Sequence, residues 1–433
     1  MRFLLFKKMA GNGLLFLKNL GENILFFMLK WKSMAKETAT NGNNNLARDV
    51  ALTHFALMFG YRLFSLYYPL FLAAQGFSLV QIGQAYLFIY LPIALGAPLA
   101  GIMTRVVHPA LMAAVGCVGY GAYALGMFFF GNTGMVFAWQ IMLGLSAALF
   151  FTASRALLMT QTEGNAEHNF SWFYNAPYWA GAVAPALGAF LIWRYGFPAV
   201  FQISVVICFF AAVLAACMVE HPWRLTNGSG LWPRFVRGWR ASLKAVFSTA
   251  TGPFVAISFA VAVVESLVHP FFVLFLKDQV GLDKGQVLQF TALAAAVFSV
   301  FYILVLKRRQ TGNFNKSILR GGLVSGGATM AFGFLMPVLS YASAFVIEFA
   351  RGVGGFMCGT GRSALLAKEM KGRPSEGGAL DTIFSPLSIA IGSFAGGYVI
   401  SWLGYQWLFL LSGGAVLSSV LILVFFDKNH SKD

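Results

Sequence analysis

Ser65-Leu66-Tyr67-Tyr68-Pro69 lies in one apolar stretch, and Ser266-Leu267-Val268-His269-Pro270 lies in another, 201 residues later. A second set of landmarks, Ala156-Leu157-Leu158, Gly188, Gly196 and Phe201, returns as Ala364-Leu365-Leu366, Gly396, Gly404 and Phe409, each displaced by 208 residues without a gap. One constant displacement over several ordered landmarks marks an internal repeat, and both copies are made of long apolar runs. Two membrane bundles related by a pseudo-two-fold axis are a common plan among secondary transporters, whose substrate sites lie between the repeats. The repeat points to transport before any single residue does.

Composition agrees. Apolar residues make up 58% of the 433-residue chain and charged residues only 11%, with 45 Phe among the aromatics. A soluble domain carries about a quarter charged residues, so this surface must be solvated by lipid. A helix needs about 20 apolar residues to cross a bilayer. Twelve such spans are predicted: Asp49–Ala74, Leu79–Ile102, Pro109–Phe130, Met135–Leu158, Phe170–Trp193, Pro198–Val219, Pro253–Leu276, Val287–Leu306, Ser317–Leu339, Ala342–Leu366, Thr382–Trp402 and Trp407–Phe426. The run lengths, and the lack of two-residue alternation, favour helices over barrel strands. The expected fold class is an all-α membrane protein of two pseudo-symmetric six-helix bundles, residues 48–220 and 253–427. A basic N-terminal extension (1–47), a linker (221–252) and a short tail (428–433) complete the chain.

The net charge of +16 does not imply nucleic acid. All but five of the 31 Lys and Arg fall on one set of loops and termini; the exceptions are Arg194, Lys277 and Lys284 on the opposite loops and Arg62 and Arg351 within spans. This is the positive-inside pattern, and it predicts both termini in the cytoplasm of a multi-pass protein of the inner cell membrane. The first 33 residues, with Lys7, Lys8, Lys18 and Lys30 among Phe and Leu, read either as an interfacial helix or as an over-long start ahead of Met34. Arg234, Arg237, Arg240 and Lys244 in the linker are spaced as a short interfacial helix, or simply a tether. Cys117, Cys208, Cys217 and Cys358 all lie in apolar spans and suit small core residues, with no metal-binding spacing among them.

Several segments resemble the major facilitator superfamily, over positions 48–427. Gly76-Phe77-Ser78-Leu79-Val80-Gln81-Ile82-Gly83 is similar to its link into the second helix, and Gly101-Ile102-Met103-Thr104-Arg105 to its Gly-x-x-x-Asp-Arg signature. Thr104 replaces the acid, and only Gly101 and Arg105 fit well, so the resemblance implies a weak cytoplasmic lock and a bias to inward-open states. Gly181-Ala182-Val183-Ala184-Pro185-Ala186-Leu187-Gly188 resembles the antiporter signature of helix five, around Pro185 and Gly188, which tilts the reading towards efflux. Small residues at this spacing also let any two membrane helices approach. In the family, helices one, four, seven and ten line the central cavity.

Arg62, Glu265, Glu348 and Arg351 stand well inside the spans. Each charge at a helix centre costs about 2.5–3.5 kcal/mol, on the order of 10 kcal/mol together if unpaired. They must therefore face water or one another. All four fall on the helices that the resemblance assigns to the cavity, and Arg62 and Glu265 lie near the midplane, where alternating-access sites sit. Glu265 and His269 are four apart, and Glu348 and Arg351 three apart, so each pair shares a helix face; Pro270 can open a kink there.

Two readings stand. In one, Glu265, with His269 and Glu348, carries coupling protons while Arg62, Gln140, Arg351, Tyr61, Asn175 and Tyr178 meet the substrate. In the other, Arg62–Glu265 and Arg351–Glu348 are permanent ion pairs that hold the bundle. The expected arrangement has Arg62, Glu265 and Arg351 facing the cavity, with Gln140, which precedes Glu348 by 208 residues, across from it. His54 reads as a packed histidine, and Arg155 and Arg362 as residues that snorkel to the surface.

Gly-x-x-x-x-Gly-Lys-Ser/Thr, His-Glu-x-x-His and Gly-x-Ser-x-Gly are all missing, so neither ATP-driven transport nor an enzyme is expected, and no cofactor or metal. The expected partners are a small-molecule substrate, protons and the lipid bilayer, with the chain acting as a monomer. The leading expectation is a proton-coupled secondary transporter of a small organic solute, efflux ahead of uptake. An organic-anion uptake symporter, or a transporter-like sensor or lipid-handling protein without coupling, remains the alternative.

Overall fold

The computed structural model describes residues 45–129, 133–159, 166–220, 233, 236, 252–308, 314–369 and 374–430. Most of the N-terminal extension and of the linker, including Arg234, Arg237, Arg240 and Lys244, lies outside the described residues. Thirteen α-helices run through the described residues: α1 (Asn45–Arg62), α2 (Tyr68–Ala74), α3 (Leu79–Met103), α4 (Pro109–Phe129), α5 (Thr133–Met159), α6 (Ala166–Tyr195), α7 (Phe197–Cys217), α8 (Gly252–Val268), α9 (Phe272–Asp278), α10 (Lys284–Arg308), α11 (Phe314–Leu335), α12 (Tyr341–Glu369) and α13 (Pro374–His430).

These make twelve membrane crossings. Ten stretches are long and apolar enough to span by composition. One of them, Ile383–Ile422 within α13, is bent at Gly404 and supplies two crossings. The twelfth is α12, whose charges lower its hydropathy. The first crossing is α1 and α2 joined through a 3-10 turn at Ser65–Tyr67, and the seventh is α8 and α9 joined at His269–Phe271. Each break lies beside a proline, Pro69 or Pro270, which has no N–H for the helical ladder. The kink at Pro270 is where the sequence puts it. The two breaks are 204 residues apart, not the 201 of the sequence motif, because the repeat aligns the prolines whereas the fold aligns the turns.

The pseudo-symmetry is written in the backbone. α5 and α12 begin 208 residues apart, as do α6 and α13. Gly196 and Gly404, also 208 apart, both adopt positive φ with extended ψ (80°, 177° and 78°, 174°), a region essentially restricted to glycine. They reverse the chain between the fifth and sixth and the eleventh and twelfth crossings. Gly76 and Gly281 (φ 85° and 75°) do so after the first and seventh. Both of those turns end in reciprocal caps. Ser78 N donates to Gln81 Oε1 and Gln81 N to Ser78 Oγ (2.9 and 3.2 Å); Asp283 N donates to Gln286 Oε1 and Gln286 N to Asp283 Oδ1 (3.0 and 2.9 Å).

Twelve crossings put both ends of the bundle on one side, here the terminal face. Each half packs within itself: α1 on α6 and α7, α4 on α5 and α7, α8 on α12 and α13, α11 on α12 and α13. The halves join where α3 runs along α13, α6 along α10, and α2 against α9. Several of these joints lie towards the opposite face. A Cβ on Gly397 would press on the Leu79 carbonyl, and one on Gly83 would strike the Ser393 carbonyl. Neither α1 with α8 nor α5 with α12 forms a packed pair among the described residues. The halves are therefore closed at the opposite face and apart at the terminal face. Exposed Trp193, Tyr195, Trp402 and Trp407 flank the Gly196 and Gly404 turns, as aromatic residues do at a membrane interface.

Candidate functional site

Arg62 ends α1 at the break in the first crossing. The Nη1 of its guanidinium occupies the space over Gly181 of α6, beside the Ser299 hydroxyl of α10, so any side chain at 181 would collide with it. The groups that act on it electrostatically are the phenols of Tyr178, Tyr61, Tyr90 and Tyr302, drawn from four helices of both halves. No carboxylate pairs with it among the described residues. It is half-buried, so it is a cation held open in the middle of the membrane.

Glu265 lies on α8 in the other half. Ser325 Oγ of α11 donates to its Oε1 at 3.2 Å, and its carboxylate rests against Gly355 of α12, where a Cβ would collide with it. Arg351 acts on it electrostatically but makes no hydrogen bond to it. Arg351 is taken by Glu348 instead: Nε donates to Oε2 at 2.8 Å and Nη2 to Oε1 at 2.7 Å, a bidentate pair with side chains only 6% and 13% exposed. The face of Phe272 lies 5.8 Å below the guanidinium. Of the two pairs suggested by charge and depth, Glu348–Arg351 forms and Arg62–Glu265 does not.

His269 is exposed although Val268 and Pro270 on either side are buried. Arg351 and Arg62, one from each half, both act on it electrostatically, which places it between the halves. It does not share a face with Glu265 as four-residue spacing suggests, because the helix stops at Val268 and the 3-10 turn rotates the residues beyond it.

Gln140 is sealed inside the N-terminal half. Its amide Nε2 donates to the phenols of Tyr68 and Tyr123, the latter at 3.2 Å, and the residue is fully buried, so it does not line the space across from Glu348. Tyr61 stands edge-on to Phe64 and Tyr120 beside Arg62. Tyr178 meets Tyr302 edge-on across the joint between halves, with ring centres 5.1 Å apart. Asn175 is partly buried, and its Oδ1 makes no hydrogen bond.

The signature residues have plain structural roles. Thr104 is buried and its hydroxyl donates to the Gly101 carbonyl at 2.8 Å, closing the end of α3, while Arg105 beside it is exposed. The Pro185 carbonyl accepts from Tyr67 Oη at 2.9 Å, and the same hydroxyl reaches the Leu288 carbonyl of α10 at 3.5 Å. Gly188 lets α6 close on the Leu63 carbonyl. Arg362 does not snorkel; it is buried, with Phe384 5.7 Å from its guanidinium. His54 is packed among Phe150, Phe151 and Phe173, its Nδ1 3.0 Å from the Phe173 carbonyl oxygen. Cys117, Cys208 and Cys358 are buried, but Cys217 at the end of α7 is exposed. No cluster of metal-ligating side chains occurs among the described residues.

The charges of both halves thus converge on the space between them, inside two repeats of six crossings. The family model for the Major Facilitator Superfamily matches residues 50–385. The chain belongs to the major facilitator superfamily. It is a multi-pass membrane transporter, and solved structures of that fold superpose on nearly its whole length. A bacterial homologue of the human drug peptide transporters PepT1 and PepT2 is 14% identical with a TM-score of 0.68, covering 90% of this chain and 99% of its own. A POT family transporter in complex with 5-aminolevulinic acid is 11% identical with a TM-score of 0.71, covering 89% and 96%. A peptide transporter in complex with alafosfalin is 14% identical with a TM-score of 0.66, covering 90% and 94%. No curated protein sequence matches. At these identities the likeness is one of fold.

Sequence reasoning passed over Tyr90, Ser299, Tyr302, Ser325 and Gly355. Each sits in an ordinary apolar or small-residue run, and only the packing of α3, α10, α11 and α12 brings them to Arg62 and Glu265. The run Gly352-Val353-Gly354-Gly355, one turn beyond Arg351, is the one signal in the sequence of a close approach there.

Proposed function

We propose that this transporter moves a small organic solute bearing an anionic group, coupled to protons, with Arg62 as the anion clamp and Glu265 as the proton carrier. The observation that carries the reading is the contrast between two midmembrane arginines. Arg351 is neutralised by a bidentate carboxylate, whereas Arg62 has none and is ringed by phenols able to donate hydrogen bonds to an oxyanion. A desolvated cation left open is costly, and an anionic solute arriving at it relieves that cost. Glu265 sits in the opposite half without an ion pair to break, so it can take and release a proton as the halves rock. His269, exposed between Arg62 and Arg351, stands on the path between the two sites.

The basic loops lie on the terminal face, which this reading sets in the cytoplasm. The arrangement with the halves apart there is then inward-open. Gly181 and Gly188 are accounted for by the packing of α6 on Arg62 and Leu63, so they lend no weight to either direction of transport. The crystallised neighbours' complexes with 5-aminolevulinic acid and alafosfalin are in keeping with small organic cargo.

The test is reconstitution in vesicles loaded with a pH-sensitive dye, with panels of carboxylates, phosphonates and amines added outside. Carboxylates or phosphonates should move protons in the wild type. Arg62→Gln should abolish their uptake, and Glu265→Gln should retain exchange while losing accumulation driven by a pH gradient. Fully coupled transport by a stable Glu265→Gln protein, or movement of amines alone, overturns the reading.

A further inference from the structure

The two halves differ in one joint. In the N-terminal half α3 and α5 pack backbone to backbone: Gly144 lies against the Ile89 carbonyl, and Gly96 against Ala148. In the C-terminal half the equivalent helices are α10 and α12, and Gly352 is the counterpart of Gly144, 208 residues on. Gly352 meets no backbone there. It lies against the ring of Phe298, and α10 and α12 are held apart by aromatic rings.

Those rings form a continuous column. Phe298 stacks on Phe349 with centres 5.4 Å apart and planes 13° from parallel. Phe298 stacks on Tyr302 at 6.0 Å, and Tyr302 on Phe356 at 4.5 Å. Tyr178 closes the end from the other half, edge-on to Tyr302. All five are only partly buried, unlike the sealed rings of Phe275, Phe332 and Phe409 elsewhere in the same half. Tyr302 is held by its hydroxyl on the Gly352 carbonyl at 3.4 Å, and it is among the phenols that act on Arg62.

We infer that the solute is a planar aromatic acid, its anionic group on Arg62 and its ring inserted along the Tyr302–Phe356–Phe298 column between α10 and α12. The inference rests on Arg62 being the anion site. Partly exposed, near-parallel rings present π-faces on which a flat ring stacks at little ordering cost, whereas a saturated ring of the same size gains only contact area. An open column leading from a free cation therefore selects for charge at one end and flatness at the other. Gly355, next to Phe356, keeps the carboxylate of Glu265 close to the same slot, so solute and proton sites adjoin.

The experiment is calorimetric titration of the purified full chain with benzoate, cyclohexanecarboxylate, 2-naphthoate and 2-naphthol. The wild type should bind benzoate roughly 3- to 10-fold more tightly than cyclohexanecarboxylate, as one added aromatic contact allows, and 2-naphthoate more tightly than 2-naphthol. Phe356→Leu should erase the preference for benzoate while leaving cyclohexanecarboxylate unchanged. Phe356→Tyr, which keeps the ring, should restore it, and a melting curve for each variant checks that it is folded. Equal binding of benzoate and cyclohexanecarboxylate, no binding of any aromatic probe, or a preference that survives Phe356→Leu overturns the column. Benzoate binding unchanged in Arg62→Gln, with the ring preference intact, instead overturns the anion clamp and leaves the column standing.

Discussion

Removing Glu348 should destabilise this protein far more than removing the whole pair it belongs to. Glu348 and Arg351 form two hydrogen bonds of 2.8 and 2.7 Å with side chains 13% and 6% exposed, one turn apart on α12. Glu348→Gln leaves the guanidinium buried without its counter-charge, and breaking a buried pair costs about 3–5 kcal/mol. Glu265 acts on the same arginine and offsets part of the loss, which sets the expectation at the lower end, about 3 kcal/mol. Even that is a large share of a stability of about 5–15 kcal/mol. Arg351→Met is expected to cost a similar amount, by stranding the carboxylate. The double variant replaces both charges with neutral side chains, and such replacements are often neutral or stabilising. Melting of the four detergent-purified proteins at one scan rate measures the cycle, the fixed rate being needed because unfolding of membrane proteins is seldom reversible. Two deep losses that largely vanish in the double variant are expected. Single variants that melt with the wild type, or a double variant that loses the sum of both, would refute the buried-pair argument.

Gly196→Ala and Gly404→Ala should each cost about 1–3 kcal/mol, and by similar amounts, because both residues hold the same glycine-only backbone conformation at equivalent turns; paired melting curves check this, and a marked asymmetry would show that the turns are not equivalent. Tyr67→Phe removes a hydroxyl shared by the Pro185 and Leu288 carbonyls, worth about 1 kcal/mol, and should loosen the joint between halves at the opposite face. A single cysteine introduced at Gln75 should then react faster with a membrane-impermeant maleimide than it does in the parent. Gln140→Leu strands the phenols of Tyr68 and Tyr123 at a cost of about 1–3 kcal/mol while leaving the apparent affinity for transported acids unchanged; a fall in affinity without a fall in melting temperature would return Gln140 to the substrate site.

Composition and periodicity sufficed for the membrane class, the twelve crossings and the repeat, because in lipid every backbone group must be satisfied within its own helix. Each span is therefore a local property of about 20 residues, legible without its neighbours. The same holds for the kink at Pro270, a missing donor, and for Gly196 and Gly404, whose conformations follow from having no Cβ. The rarity of intramembrane charge singled out Arg62, Glu265, Glu348 and Arg351, since each must have a reason to be there. Which of them pair was decided only by the tertiary structure. Glu348 and Arg351 are three residues apart on one helix, so their contact is local and could be read from spacing. Arg62 and Glu265 lie in different halves, and their partners depend on how α6 and α8 to α12 pack: α6 brings Gly181 under the guanidinium, while α11 and α12 bring Ser325 and Gly355 to the carboxylate. The 3-10 turn at His269 likewise broke a four-residue rule that holds only where the helix continues. Tyr302 and Phe356 looked like two more aromatics in an aromatic-rich chain until the gap between α10 and α12 turned them into a column. A contact between distant segments is a property of packing, and packing is set by the shapes of whole helices rather than by any motif within one.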